Sequence, residues 1–298
     1  MKILLLTLLL VTSAIAGTDQ QLTLYFVPSP KGIDWSTPSN LAISALKNKI
    51  SMEPRFMGHV FVELTCGNKH ELTGMTSKSF DYLNQLLVEQ RGLGILYHSF
   101  EGKLEDKESI QTELSGYLRT GYVNFTRFIL NEKQCNRALS YLDEYRKNDV
   151  GRFYGLANRP RFGEGAGCSA FGVSFPDVLD ILDHEMKEAW SQTVNIPLEY
   201  AGPPLTEEGV GLIKVILNAG SWASEKEKHK KLTFWSPDRM HEWVKNKVKN
   251  PGQGVAVLQI ENTRGLIIDK SHFPVPEGPI WLQKIDPNDS KKTVEIQE

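Results

Sequence analysis

The chain has 298 residues, of which 40% are hydrophobic and 23% charged, and its formal net charge is −2. That composition belongs to a globular protein and offers no basic tract to nucleic acid. The one lysine-rich run, 226–231, alternates with Glu225 and Glu227 and reads as a solvated helix face.

Met1-Lys2 is a short positive start, 3–11 is an apolar run, and Ala14-Ile15-Ala16 is a small-residue cleavage signal. These are the parts of a secretory signal peptide, too short in its apolar stretch to span a bilayer comfortably. Cleavage after Ala16 leaves an exported chain, periplasmic or secreted. Its roughly 280 residues suffice for one large domain or a domain with an extension. No later apolar run is long enough for a stable membrane span.

Residues 22–27 alternate as a first strand, broken by Pro28, Pro30 and Gly32, and 39–49 reads as a helix capped by Ser39 or Asn40. A second strand over 57–65 sets Val60, Val62 and Leu64 on one face and His59, Phe61 and Glu63 on the other. A turn at 66–69 returns the chain along 70–73 as its partner. A helix over 80–90 and a strand over 95–100 follow, with Glu101-Gly102-Lys103 as a turn. Residues 121–130 alternate as another strand. Asn131 then caps a helix that runs to about Lys147, with Ala138, Leu139, Leu142 and Tyr145 on its apolar side. A loop bearing glycine and arginine leads to Cys168, and 176–192 reads as one further helix. After Pro203-Pro204 come a helix over 238–249, a hairpin pairing 255–260 with 266–269, and a polar tail beyond Asp286.

Chemistry concentrates at Gly163-Glu164-Gly165-Ala166-Gly167-Cys168-Ser169. A thiol at a helix N-terminus faces unpaired N–H groups and the positive end of the macrodipole, which favours the nucleophilic thiolate. Such a nucleophile needs a base, and the base needs an orienting polar group. His59, an imidazole in a strand otherwise built for packing, is the base candidate; His70 or Glu71 on the returning strand, or Glu63 two pleats away, is the third group. His272 and His241 are alternative bases. Three cysteines in an exported chain leave at least one unpaired: Cys66 and Cys135 pair and free Cys168, or all three are reduced. No cysteine spacing matches a metal site, and nothing calls for a cofactor.

Three pieces stand in a fixed order: Gly58-His59-Val60 through Glu71, the strand and helix leading into Gly151-Arg152-Phe153-Tyr154-Gly155, and Gly167-Cys168-Ser169-Ala170-Phe171. Over about 56–178 this resembles the circularly permuted branch of the NlpC-type papain-like superfamily, with its YiiX-like and lecithin retinol acyltransferase-like members. The resemblance implies an α+β fold in which an antiparallel sheet carrying the histidine packs against a helix carrying the cysteine. After the signal peptide over 1–16, the chain divides into a core with an N-terminal extension over 17–196 and a C-terminal extension over 197–298, within the same domain or outside it, that matches nothing in the family. The resemblance makes Cys168 the nucleophile, His59 the base and Glu71, twelve residues on, the third residue, with His70 beside it as a rival. Tyr154 matches an aromatic before the cysteine, and Arg159 and Arg161 stand where they would receive a carboxylate or phosphate. The activity implied is hydrolysis of an amide, peptide or acyl bond through an acyl-enzyme. The partner is then a cell-envelope peptide, amide or acyl-lipid. Alternatives are a lipid acyltransferase or thioesterase, or an inactive binding protein on the same scaffold.

Overall fold

A computed structural model describes residues 20–50, 55–79 and 81–283. The expected signal peptide and the tail after Asp286 lie outside the described residues. The fold is α+β, built on an eight-stranded sheet in the order β6-β4-β3-β2-β1-β5-β10-β9. Its strands are β1 (Gln20–Val27), β2 (His59–Cys66), β3 (Lys69–Ser77), β4 (Phe100–Leu104), β5 (Asn124–Ile129), β6 (Phe153–Tyr154), β9 (Val255–Ile260) and β10 (Thr263–Asp269). A separate hairpin joins β7 (Ser191–Pro197) to β8 (His229–Trp235). The helices are α1 (Pro38–Ile50), α2 (Tyr82–Leu87), α3 (Lys107–Thr120), α4 (Glu132–Lys147), α5 (Cys168–Val178), α6 (His184–Trp190), α7 (Leu212–Asn218) and α8 (Pro237–Lys249).

β1 lies between β2 and β5, which pair both its edges, while one core takes Leu22, Leu24 and Phe26 and another takes Tyr25 and Val27, so Leu22 through Val27 are all buried. The alternation of β2 is used as the sequence reads: Val60, Val62 and Leu64 enter a core built with α4, α5 and α8. Phe61 enters a second core under α3, with Ile110 and Leu114. A third apolar cluster unites α1, the 3-10 helix Gly92–Tyr97, β7, β8 and α7. The segment after residue 196 is woven into both parts, since β10 runs parallel to β5 in the main sheet while β8 belongs to the third cluster.

Local chemistry explains the helix ends. Asn131 and Gln134 form a reciprocal capping box at α4, each side-chain oxygen accepting from the other's backbone N–H at 2.9 and 2.8 Å. α5 is apolar on every side, and ten of its eleven residues are buried, all but Asp177. Gly172 lets it come down onto β2: a Cβ there would stand 2.5 Å from a Val60 methyl. Cys66 and Cys135 are joined, fastening β2 to α4 across a separation of 69 residues, a closure worth about 4 kcal/mol against the unfolded chain in the entropic account.

Four expectations change. The first half of the segment read as a strand over 95–100 belongs to the 3-10 helix, with the Gly94 N–H bonded to the Ala201 carbonyl, and pairing begins only at Phe100. Residues 101–103, read as a turn, lie inside β4, where Gly102 and Lys103 pair with β3. The single helix over 176–192 is two pieces: Asp180 takes a left-handed conformation, and Asp183 starts α6 afresh by accepting from the Met186 N–H at 2.9 Å. The lysine-rich run enters β8 rather than a helix, because β7 pairs with it from His229 onward.

Candidate active site

β2 and β3 pair as far as Phe61↔Gly74. Beyond that point β3 turns to pair with β4, leaving the first residues of β2 open on that side. The start of α5 fills this opening. His59, 2% exposed, bonds through Nε2 to Oε2 of Glu105 at 2.7 Å, which leaves Nδ1 as the ring atom available to Cys168. The Cys168 sulfur faces His59, the Tyr154 hydroxyl and the Val60 backbone N–H, each of which favours its charged form. Gly167 precedes it as an N-cap without a side-chain cap, and the Cys168 backbone N–H is turned toward the Tyr154 hydroxyl.

Burial disfavours a charged sulfur, but His59, Tyr154 and the Val60 N–H outweigh it and hold the Cys168 thiol below its ordinary pKa. Burial and the Arg55 charge likewise push His59 down, yet Glu105 and Cys168 prevail and raise it to about 9. Burial works against the Glu105 carboxylate too, and His59 and Arg55 together lower it to about 2. The three groups therefore stabilise a thiolate, an imidazolium and a carboxylate in line.

Glu105 is held from several sides. Its N–H donates to the Gly74 carbonyl at 2.9 Å and its carbonyl accepts from Thr73 Oγ1 at 3.2 Å. Arg55 Nη2 reaches its Oε1 at 2.5 Å while the same guanidinium holds Glu113, at 2.9 and 2.7 Å, and Tyr117 donates to Glu113 at 2.9 Å. A side chain at Gly74 is excluded by this arrangement: its Cβ would lie 2.6 Å from Glu105 Oε2 and 3.2 Å from His59 Nε2.

The third residue is thus Glu105, and this corrects the reading that placed Glu71, His70 or Glu63 there. The hairpin register sets Glu71 opposite Leu64 and His70 opposite Thr65, far down the strand from His59. Glu71 pairs with Arg146 at 2.7 Å, and His70 pairs with Glu63, which also accepts from Tyr25. Nor do the two arginines face the thiol. Arg159 is tied to Glu164, and Arg161 holds Asp177 and the carbonyls of Pro279 and Ile280. The alternative bases stand elsewhere: His241 is buried against the Phe26 carbonyl, and His272 lines a different, polar depression with Asp183 and Lys270. Tyr154 lines the same cavity as Cys168.

Cys168 and Tyr154 open onto a cavity of about 210 Å³. Cys168 and Tyr154 stand on one side; the others are largely apolar, supplied by Leu46 of α1, Leu86 of α2, Leu93 and Leu96 of the 3-10 helix, and Val215 of α7. Phe234 and Trp235 of β8 close it, and Ser169 fixes β8 to α5 by donating to the Trp235 carbonyl at 2.7 Å. Its few polar members are engaged: Asp238 accepts from the Ser29 N–H and hydroxyl, both at 2.6 Å. Glu105 and this apolar wall are what sequence reasoning missed. The one signal for Glu105 was its place directly before Asp106, which caps α3. Compared with family models, with curated proteins and with solved structures, the chain gives no match in any of the three.

Proposed function

We propose that this chain is an exported cysteine hydrolase or acyltransferase that takes an apolar acyl group from an ester, thioester or amide. The observation that carries the reading is Cys168, set against a buried His59–Glu105 pair at the wall of an apolar cavity. The papain-like resemblance supports it, since a histidine strand precedes a cysteine helix packed on a mostly antiparallel sheet.

The Cys168 thiolate attacks the substrate carbonyl carbon, forming a C–S bond, while first-turn N–H groups of α5 receive the oxyanion. As the tetrahedral centre collapses, the bond to the leaving oxygen, sulfur or nitrogen breaks and His59 gives that atom its proton. Water or an acceptor alcohol then loses a proton to His59 and attacks the thioester, and the thiolate is restored. Glu105 fixes the imidazole through Nε2 and balances its charge throughout. A peptide substrate would need partners for its backbone amides along the groove. The cavity offers apolar side chains instead, which suit an acyl chain.

The test uses Cys168 as the free thiol, since Cys66 and Cys135 are joined. Iodoacetamide alkylation followed against pH should reach half its maximal rate below the ordinary thiol range, about 8.5. His59→Ala should return it to that range. Turnover of p-nitrophenyl esters should require Cys168. An ordinary thiol titration in the unaltered protein, together with no turnover, sinks the proposal.

A further inference from the structure

The outer surface of the cavity wall has a character of its own. Among the described residues, six of the nine large apolar side chains that stand exposed are Ile50, Leu83, Leu87, Val88, Ile213 and Leu217, between 41% and 74% exposed. All belong to α1, α2 or α7 or, for Val88, to the C-cap of α2. Those are the helices whose inner sides, through Leu46, Leu86 and Val215, line the cavity at Cys168. They form one rim, because α1 packs on α7 and both α2 and α7 pack on the 3-10 helix between them.

Charge separates this rim from the rest of the molecule. The three helices carry Lys47 and Lys214 outside, and Lys49 at the cavity, and hold no Asp or Glu within their spans, Asp81 and Glu89 standing just beyond α2, in a chain whose 36 acidic residues outnumber its 34 lysines and arginines. Apolar side chains pointing outward beside lysines suit a surface that is apolar within and anionic at its edge. A second copy of this chain would bring lysines against lysines there.

We propose that the rim of α1, α2 and α7 docks on an anionic phospholipid surface. It would thereby set the mouth of the Cys168 cavity against the bilayer. The inference rests on the acyl-transfer reading for its purpose: an acyl chain leaving the bilayer passes from lipid to cavity wall without crossing water. The contact is a reversible one, from a few partly inserted side chains and the attraction of cations to anionic headgroups.

Flotation of the full chain carrying Cys168→Ser, which leaves the lipid uncut, tests it. Vesicles of phosphatidylglycerol and phosphatidylcholine should carry the protein upward, and vesicles of phosphatidylcholine alone should carry much less. Leu87→Glu/Ile213→Glu/Leu217→Glu should reduce the floated fraction about tenfold, and Lys47→Glu/Lys214→Glu should remove the preference for the anionic lipid. With Cys168 restored, both variants should turn over p-nitrophenyl butyrate, a soluble short ester, as the unaltered protein does, which also shows that they fold. Absence of flotation on either lipid overturns the proposal, as does undiminished flotation of the triple variant. So does a dimer in sedimentation that the triple variant splits without any lipid binding. Short-ester turnover by a protein that never floats leaves the hydrolase reading standing and removes only the docking. Flotation without any turnover does the reverse.

Discussion

The two sides of Cys168 are built on opposite terms. Behind it lies a polar wall between β2, β4 and α3, where charged groups are buried in one series from His59 through Glu105, Arg55 and Glu113 to Tyr117, with Cys168 alone of this group facing the cavity. On the wall formed by α1, α2, the 3-10 helix and α7, leucine, isoleucine and valine contribute shape and little else. Buried charge tolerates error poorly, because each group left without its partner costs more than the pair contributes. An apolar surface tolerates it well, because dispersion and burial are summed over many weak contacts. In the proposed reaction the polar wall fixes where the bond is broken, and the apolar wall sets which acyl groups fit.

The largest break in this contrast is Glu105→Gln, which keeps the shape of the polar wall and removes its charge. The amide cannot hold the imidazolium, and kcat/KM should fall by about three to four orders of magnitude, as for other orienting carboxylates. The sign of the pH effect follows from the cause. Glu105 raises His59, so its neutralisation lowers the pH at which the imidazolium is lost. The basic limb of the kcat/KM profile should move down from about 9 toward the ordinary imidazole range. A profile that keeps its limb near 9 would mean that Glu105 does not act through His59.

How far the site was legible follows the same divide. Cys168, His59 and Tyr154 lie in short local patterns: a glycine-rich approach to a helix, an imidazole in a packing strand, an aromatic before the cysteine. Glu105 has no such pattern. It reaches His59 across 46 residues, through the pairing of β3 with β4, and β4 is five residues long with no apolar run. Its neighbour α3 buries only Ile110 and Leu114 and was not read as a helix at all. The hairpin misled for a definable reason: proximity in sequence favoured Glu71, while a register set by Phe61 and Gly74 carries Glu71 toward the wrong end of the strand. The apolar wall was illegible as a wall. Its helices are short and distant in sequence, and one strand of its cluster, β8, begins in lysines that read as a helix face. The α+β class and the strands β1, β2 and β5 and helix α4 were readable, since alternation and caps there agree with burial.

A smaller break enters from the apolar side. Ala45 of α1 lines the cavity. Ala45→Phe should fill part of it and shift the preference between dodecanoyl and butanoyl esters toward the shorter by about ten- to a hundredfold. The pH profile should stay where it is, since no charge of the polar wall has moved. An equal loss on both esters would show that this wall does not measure chain length.

The finest distinction concerns Arg55, which touches Glu105 and not the sulfur. Its charge lowers both His59 and Glu105. Arg55→Met should therefore act on the basic limb in the direction opposite to Glu105→Gln. With the cation gone, the Glu105 carboxylate is neutralised only by the imidazolium, His59 binds its proton more tightly, and the limb moves above 9. Glu105 stays ionised in the working range, because the His59 contribution that lowers it remains. Activity should fall only severalfold, from the loss of the fork that holds Glu105 and Glu113 together. Arg55→Lys should leave the limb in place, since the charge stays, while losing part of the rate, since a single ammonium cannot reproduce both contacts. A limb that moves down in Arg55→Met would mean that the guanidinium chiefly keeps Glu105 charged, and Arg55 would then belong with the carboxylate as a support of the imidazolium.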